Sequence, residues 1–171
     1  MGNDFFQYGP APSAPPAPAP TPASVPARDA GLDGGRAILA ELSDEDWEKF
    51  IGFATRRRYP AGAVILEIGQ TGTSLGFVAS GAVEVAAASP PGAAQAKPEL
   101  REEGDVFGML GFLDGAPATV RVRARGSAEV LLLTSESLLQ LAAWQPRIAV
   151  ALLRDLGAAV AMRLRRVQGG D

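Results

Sequence analysis

The sequence contains neither cysteine nor histidine. Without cysteine there is no disulfide, no thiolate nucleophile and no cysteine-based zinc site. Without histidine, the commonest metal ligand and the usual general base at neutral pH are missing. The acidic pair Glu102–Glu103 has no nucleophile beside it and is interpreted as a solvated turn before Gly104. We therefore expect no enzyme activity, no metal site and no cofactor.

Two further features are missing, a strong excess of one charge and a long apolar run. Sixteen basic and 19 acidic side chains give a net charge of −3, so nothing steers the protein toward nucleic acid or acidic lipid. No stretch of about eighteen apolar residues could span a membrane, and the N-terminus lacks the basic and apolar regions of a secretory signal. We expect a soluble cytoplasmic protein without a membrane or nucleic-acid partner.

Proline is concentrated at one end of the chain, where eight of the 14 prolines precede residue 27. Residues 1–35 are therefore predicted to be a disordered Pro/Ala-rich tail, extended and solvated. At its tip, Phe5, Phe6 and Tyr8 form an aromatic cluster. Two interpretations remain open for this cluster. It is either an unstructured end with no partner or a short docking motif that becomes ordered on a protein partner.

Residues 36–168 are predicted to form one domain. Ser43 is a suitable helix N-cap, followed by three acidic residues in the first turn. Trp47 and Phe50 then fall on one helical face, and the basic residues 56–58 are expected to end this helix, where its dipole favours positive charge.

After this helix the pattern changes to short β-branched strands separated by glycines, and then back to helical periodicity. Ser135 is expected to cap the first of two C-terminal helices, and Pro146 to begin the second. Strands are predicted at 64–68, 75–79, 82–86, 100–107, 119–124 and 128–133.

The glycine positions make this pattern more specific. The segments 59–65, 80–85 and 104–108, read Tyr-Pro-Ala-Gly-Ala-Val-Ile, Ser-Gly-Ala-Val-Glu-Val and Gly-Asp-Val-Phe-Gly, resemble the cyclic nucleotide-binding domain family. The similarity is to a bacterial, catabolite-activator-like effector domain without its DNA-binding domain. It implies a mainly β fold with flanking helices, a double-stranded β-helix or jelly-roll-like β-roll with a C-terminal helix, and covers roughly residues 37–167.

The resemblance also implies a pocket for a cyclic nucleotide. In the family, a short helix beginning near the position of Gly108 directs backbone amides at the phosphate. A glutamate after that glycine accepts from the ribose hydroxyl, and an arginine about nine residues later pairs with the phosphate. Here those two positions hold Met109 and Ala118, whereas Thr119 matches the small hydroxyl residue that faces the phosphate. Leu110 completes the expected pocket segment.

Arg121 could compensate for the missing arginine, because it lies two residues beyond Thr119 on a predicted strand. Alternatively, Arg121, Arg123 and Arg125 form a solvated face of the roll. We favour the solvated face, because alternating arginines on strands are usually hydrated.

Two functions remain after this reasoning. The first is a non-catalytic regulatory or adaptor protein whose nucleotide pocket is degenerate and which acts through protein–protein contacts. The second is a sensor of a cyclic mononucleotide or dinucleotide with an atypical pocket. No helix-turn-helix follows the last helix, so we do not expect a DNA-binding regulator. An apolar stripe from Ile148 to Val167 favours a homodimer through this helix, at least where it does not pack on its own roll.

Overall fold

Two four-stranded antiparallel sheets form the centre of the computed structural model, which describes residues 38–72, 74–88 and 97–169. The predicted tail and its aromatic tip lie outside these described residues. The helices are α1 (Asp44–Phe53), α2 (Met109–Asp114), α3 (Ser135–Trp144) and α4 (Pro146–Gln168). The strands are β1 (Thr55–Tyr59), β2 (Val64–Leu66), β3 (Leu75–Ser80), β4 (Ala82–Ala87), β5 (Glu99–Glu102), β6 (Val106–Phe107), β7 (Val120–Ala124) and β8 (Ala128–Leu133).

The sheets have the strand orders β1-β8-β3-β6 and β2-β7-β4-β5. The two central strands of the first sheet, β3 and β8, are buried on both faces. Along β3, Leu75, Phe77 and Ala79 pack with the helices, whereas Val78, one position out of phase, packs with residues of the second sheet. Successive strand residues point to opposite faces, and burial of both faces explains why β3 and β8 are almost continuously apolar in sequence. The predicted β-roll with flanking helices is confirmed.

Helix α1 begins as its sequence predicts. The Ser43 Oγ accepts a hydrogen bond from the Asp46 backbone N–H at 3.2 Å, which satisfies one of the unpaired donors of the first turn. Trp47 and Phe50 are buried, and their rings stack with centroids 5.1 Å apart. Phe77 of β3 meets both rings edge-on, so α1 is fixed to the first sheet by aromatic packing.

The prediction for residues 56–58 was wrong. Helix α1 ends at Phe53, and these arginines belong to β1, which pairs with β8. Arg56 and Arg58 both donate to the buried Glu129 of β8, at 2.5 and 2.7 Å. The arginines are therefore held by strand pairing and by their contacts with Glu129, and they do not interact with the C-terminal end of a helix as the charge pattern had suggested. The cap of α3 is also one residue earlier than predicted, because the Thr134 Oγ1 accepts from the Ser137 N–H.

Helix α4 changes character along its length. Ile148, Leu152 and Leu156 are fully buried against the domain, as predicted for the first half of the stripe. Leu164 and Val167, in the second half, are exposed. Within the described residues, none of the helices combines the length and the apolarity that a membrane span requires.

Candidate ligand cavity

A cavity of about 420 Å³ opens between the second sheet, α2 and the end of α4. Strands β2, β4 and β7 contribute apolar side chains such as Leu66, Val85 and Val120, and β6 contributes Val106 and Phe107. This volume and this mostly apolar lining are typical of small-molecule sites. The other lining residues are Ala87, Ala88, Arg101, Gly108, Met109, Leu110, Gly111, Ala118, Thr119 and Arg163.

The turn into α2 requires glycine at position 108. Gly108 has φ +79°, which side-chain-bearing residues rarely adopt. A Cβ atom built there would also lie 2.6 Å from the Ser74 carbonyl oxygen. The chain therefore approaches β3 closely and turns directly into α2, which brings Met109 and Leu110 to the cavity wall. The structure brings these three residues together at one cavity.

Ala118 and Thr119, just before β7, line the same opening. The Ala118 backbone is fixed in both directions, because its N–H donates to the Gln70 carbonyl at 2.9 Å and its carbonyl accepts from the Gly69 N–H at 2.7 Å. The cavity thus brings together the two positions at which the sequence lacks the expected glutamate and arginine. Met109 supplies no strong acceptor there, and Ala118 supplies no cation.

A sequence model of the cyclic nucleotide-binding domain family matches residues 56–143, just over half of the chain. The chain belongs to this family. A cyclic nucleotide-gated potassium channel of Mesorhizobium japonicum is 34% identical over 115 residues, which cover 67% of this chain and 28% of the channel. The chain therefore corresponds to little more than a quarter of that relative.

Solved structures agree with this membership. The catabolite activator protein of Thermus thermophilus superposes with a TM-score of 0.66 at 29% identity, covering 74% of this chain and 57% of that one. The N-terminal domain of a transcriptional regulator from Streptomyces coelicolor A3(2) gives 0.64 at 26% identity, covering 78% and 90% respectively. The bacterial, catabolite-activator-like character inferred from the sequence is thus confirmed.

Within this cyclic nucleotide-binding domain, Arg121 does not line the cavity. Its Nε donates to both carboxylate oxygens of Glu67, at 2.8 and 3.0 Å, and both side chains are exposed. Strand β7 begins only at Val120, so the alternation that was expected to align Arg121 with Thr119 does not extend back to Thr119. Arg123 and Arg125 lie 3.6 and 3.9 Å from Glu84 and are also exposed. In the structure, Arg121, Arg123 and Arg125 thus form a solvated face of the roll, and Arg121 does not replace the missing pocket arginine.

Two cavity residues were missed by the sequence reasoning, Arg101 of β5 and Arg163 of α4. The Arg101 side chain is only 7% exposed, and its Nη2 donates to Glu99 Oε2 at 2.6 Å. Arg163 Nη2 lies 3.9 Å from the other oxygen of the same carboxylate. Ordinary alternation would bury Leu100 and expose Arg101, but Leu100 is the more exposed residue, at 38%. The spacing of Glu99 and Arg101 on one strand was the only signal available.

Proposed function

We propose that this cyclic nucleotide-binding domain is a non-catalytic regulatory or adaptor module that acts through protein–protein contacts and requires no cofactor. In this proposal its pocket is degenerate toward ordinary cyclic mononucleotides. One observation supports this most directly, that Met109 and Ala118 both line the cavity at the positions where the family places its ribose acceptor and its phosphate-binding arginine.

The energetic consequence of these two residues is large. Hydrogen bonds to charged groups contribute roughly 1.5 to 3 kcal/mol each, so the absence of two such bonds lowers affinity by about two to four powers of ten. A ribose hydroxyl buried against Met109 would in addition lack an acceptor, which carries its own penalty. Micromolar binding would become nearly millimolar.

The test is thermal unfolding of the full chain with cyclic AMP or cyclic GMP at about 100 micromolar, roughly 100 times a micromolar Kd and well below a millimolar one. We expect no stabilisation of the natural sequence. The double variant Met109→Glu/Ala118→Arg should be stabilised by several degrees, because both new side chains have room in the cavity and a ligand at 100 times its Kd stabilises by about 2.7 kcal/mol. The matched control is Leu113→Glu/Ala116→Arg, which adds the same charges outside the cavity lining.

Micromolar stabilisation of the natural sequence by either nucleotide would refute the degenerate pocket. Equal behaviour of the double variant and its matched control would show that positions 109 and 118 do not govern affinity.

A second copy of the chain is the first protein partner we propose. Along α4, Val150, Leu153, Leu164 and Val167 are exposed apolar residues. Together with Gly157 and Val160 they repeat at alternating intervals of three and four residues, the spacing of a two-helix seam. The same face on two copies is self-complementary around a two-fold axis, so we place a homodimer contact on this seam, defined as residues 150, 153, 157, 160, 164 and 167.

The N-terminal tail is the second proposed contact. Phe5, Phe6 and Tyr8 offer aromatic side chains suited to a hydrophobic groove of a protein partner. We expect a Phe5→Ala/Phe6→Ala/Tyr8→Ala variant to lose a partner that the natural chain captures, with unchanged domain stability. Loss of stability in this variant would instead indicate that the tail packs on its own domain.

A sensor of an unconventional ligand, such as a cyclic dinucleotide, is the alternative function. One observation favours it, namely that the cavity keeps a volume of about 420 Å³ and is not filled by side chains. An open pocket of this size with a mostly apolar lining is typical of sites that bind a small molecule. Micromolar stabilisation by cyclic di-GMP, without stabilisation by cyclic AMP, would support this alternative.

A further inference from the structure

The wall of the cavity carries a buried cation, Arg101 of β5. Removing a guanidinium from water is unfavourable unless it is paired, and one partner of Arg101, Glu99, has a side chain that is 49% exposed. The pair therefore joins a buried cation to a carboxylate that remains half in water. A carboxylate that is already half solvated can leave the guanidinium for water with little further rearrangement.

The rest of the wall is mostly apolar. Leu66, Val85, Val106 and Val120 surround the opening together with Leu110 of α2. A guanidinium presents its N–H donors in a planar fork that fits two oxygens of one carboxylate, sulfonate or phosphate group. An apolar surface with one buried fork, that of Arg101, is complementary to a molecule that has an apolar body and an oxyanion at one end.

We propose that the cavity binds a small apolar molecule with a terminal oxyanion, whose oxygens replace those of Glu99 at the Arg101 guanidinium. This inference rests on the alternative function above, in that it requires the cavity to take a ligand. The anion subsite lies on β5 and is therefore distinct from the positions of Met109 and Ala118. Ligand binding also affects α4, because Glu99 stands between Arg101 and Arg163.

The contact between Glu99 and Arg163 connects the replacement of Glu99 by the ligand anion to the end of α4. Both side chains are about half exposed, and their charged atoms are 3.9 Å apart. When the ligand anion displaces Glu99 from Arg101, Glu99 is left with Arg163 and water. Ligand binding in the cavity therefore changes the charged groups beside Arg163, and with them the electrostatic environment of the last turns of α4.

A matched pair of fluorescent probes tests the proposal on the full chain. The first probe is 8-anilinonaphthalene-1-sulfonate, an aromatic body with a sulfonate, and the second is N-phenyl-1-naphthylamine, the same body without a charge. We expect Arg101→Leu to weaken binding of the sulfonate about tenfold or more, the loss of one charge-assisted contact, and to leave the neutral probe nearly unchanged. Arg121→Leu, which removes an arginine outside the cavity, should alter neither.

Glu99→Gln provides the sharper readout. It removes the carboxylate that competes for Arg101, so the sulfonate should bind several-fold more tightly to this variant, a gain that a purely structural role of Arg101 would not produce. Displacement of the sulfonate by octanoate or by phenyl phosphate then distinguishes a carboxylate ligand from a phosphate ligand.

The unfavourable outcomes are separable. If neither probe binds, this inference fails, whereas the alternative function is decided separately by the stabilisation with cyclic di-GMP. If both probes bind but Arg101→Leu and Glu99→Gln leave the sulfonate affinity unchanged, or if neither octanoate nor phenyl phosphate displaces it at millimolar concentration, the cavity takes ligands without an anion subsite at Arg101. Should Arg101→Leu fail to fold, an unchanged or weakened affinity of Glu99→Gln overturns the proposal by itself.

Discussion

Single residues in this domain fall into two groups, those that shape the backbone and those that determine what the cavity can hold. Gly108 belongs to the first group, because its positive φ and its approach to Ser74 leave no room for a side chain. Met109 and Ala118 belong to the second, since neither is required by the local backbone conformation. A chain can therefore keep the architecture of a nucleotide-binding domain while the chemistry of its cavity changes.

Gly76 provides a quantitative test at this scale. A Cβ atom at this position of β3 would lie 2.2 to 2.6 Å from three ring carbons of Phe107. We expect Gly76→Ala to lower the free energy of unfolding by about 1 to 3 kcal/mol or more, as overpacking does, measured by urea denaturation. Gly52→Ala in α1 is the control, because nothing lies within 4 Å of its added methyl group.

The control should be neutral or stabilising by up to about 1 kcal/mol, the usual advantage of alanine over glycine inside a helix. A similar destabilisation in both variants would mean that the ring of Phe107 does not restrict position 76.

The exposed ion pair between Arg121 and Glu67 leads to a prediction about the pKa of the Glu67 carboxyl. The hydrogen bond from Arg121, aided by the Ile68 N–H, lowers the pKa of the Glu67 carboxyl below its ordinary value. Because the folded-state pKa is lowered, the pair contributes stability above the unfolded-state pKa and loses it as the pH falls through the folded-state pKa. Arg121→Ala should raise the Glu67 pKa toward its ordinary value, as measured by carbon-detected NMR titration.

Arg125→Ala is the control for this titration, because Arg125 lies beside Glu84 and not beside Glu67. A Glu67 pKa that is unaffected by Arg121→Ala would contradict the contact on the solvated face.

At the scale of elements, local signals predicted most of the fold. The Ser43 cap, most of the glycine-separated strands and the start of α4 at Pro146 are encoded by neighbouring residues and were found where predicted. The strand predicted over 100–107 is instead divided into β5 and β6, which lie in different sheets, and the strand predicted over 64–68 ends at Leu66. Strand β1 was missed because its arginines are stabilised in the sheet by Glu129, which lies some seventy residues later in the chain. Element boundaries that depend on such distant partners cannot be read from local patterns.

Helix α4 is attached to the N-terminal segment through one buried carboxylate. Asp155 accepts the Leu39 backbone N–H at 3.0 Å in a buried environment. We expect Asp155→Ala to lower the free energy of unfolding by about 1 to 3 kcal/mol, because the donor is left buried and unsatisfied, measured by chemical denaturation. Arg154→Ala removes an exposed partner of the same carboxylate and should lower it by no more than about 1 kcal/mol. Equal effects would contradict the importance of the Leu39 hydrogen bond.

At the scale of the whole molecule, the seam on α4 predicts a concentration-dependent homodimer. Leu153→Glu and Leu164→Glu should each shift the molecular mass measured by light scattering toward the monomer, because a charge placed in the seam loses its hydration on association. Leu139→Glu is the matched control, since Leu139 is an exposed leucine of α3 outside the seam. A natural chain that stays monomeric at high concentration would eliminate this contact.

The composition of the cavity could be predicted only in part from the sequence. Residues 108–110, 118 and 119 could be grouped in advance, because they lie on one short segment whose resemblance to the family is specific, and the structure brings them to one cavity. Arg101 and Arg163 come from β5 and from the far end of α4, and their meeting at Glu99 depends on how the roll and the last helix pack together. No spacing rule connects residues that are so far apart in the chain.

The burial of β3 and β8 on both faces has a consequence for how these strands find their native pairing. A strand with one wet face loses its hydrophobic contacts when it slips by one residue, but β8 is apolar on both sides and would lose few. Its charged residue is Glu129, which in the native alignment lies opposite Arg58. A β8 slipped by one residue would turn this carboxylate to the other face of the sheet, away from Arg56 and Arg58, so the ion pairs of one acidic side chain favour the native alignment during folding.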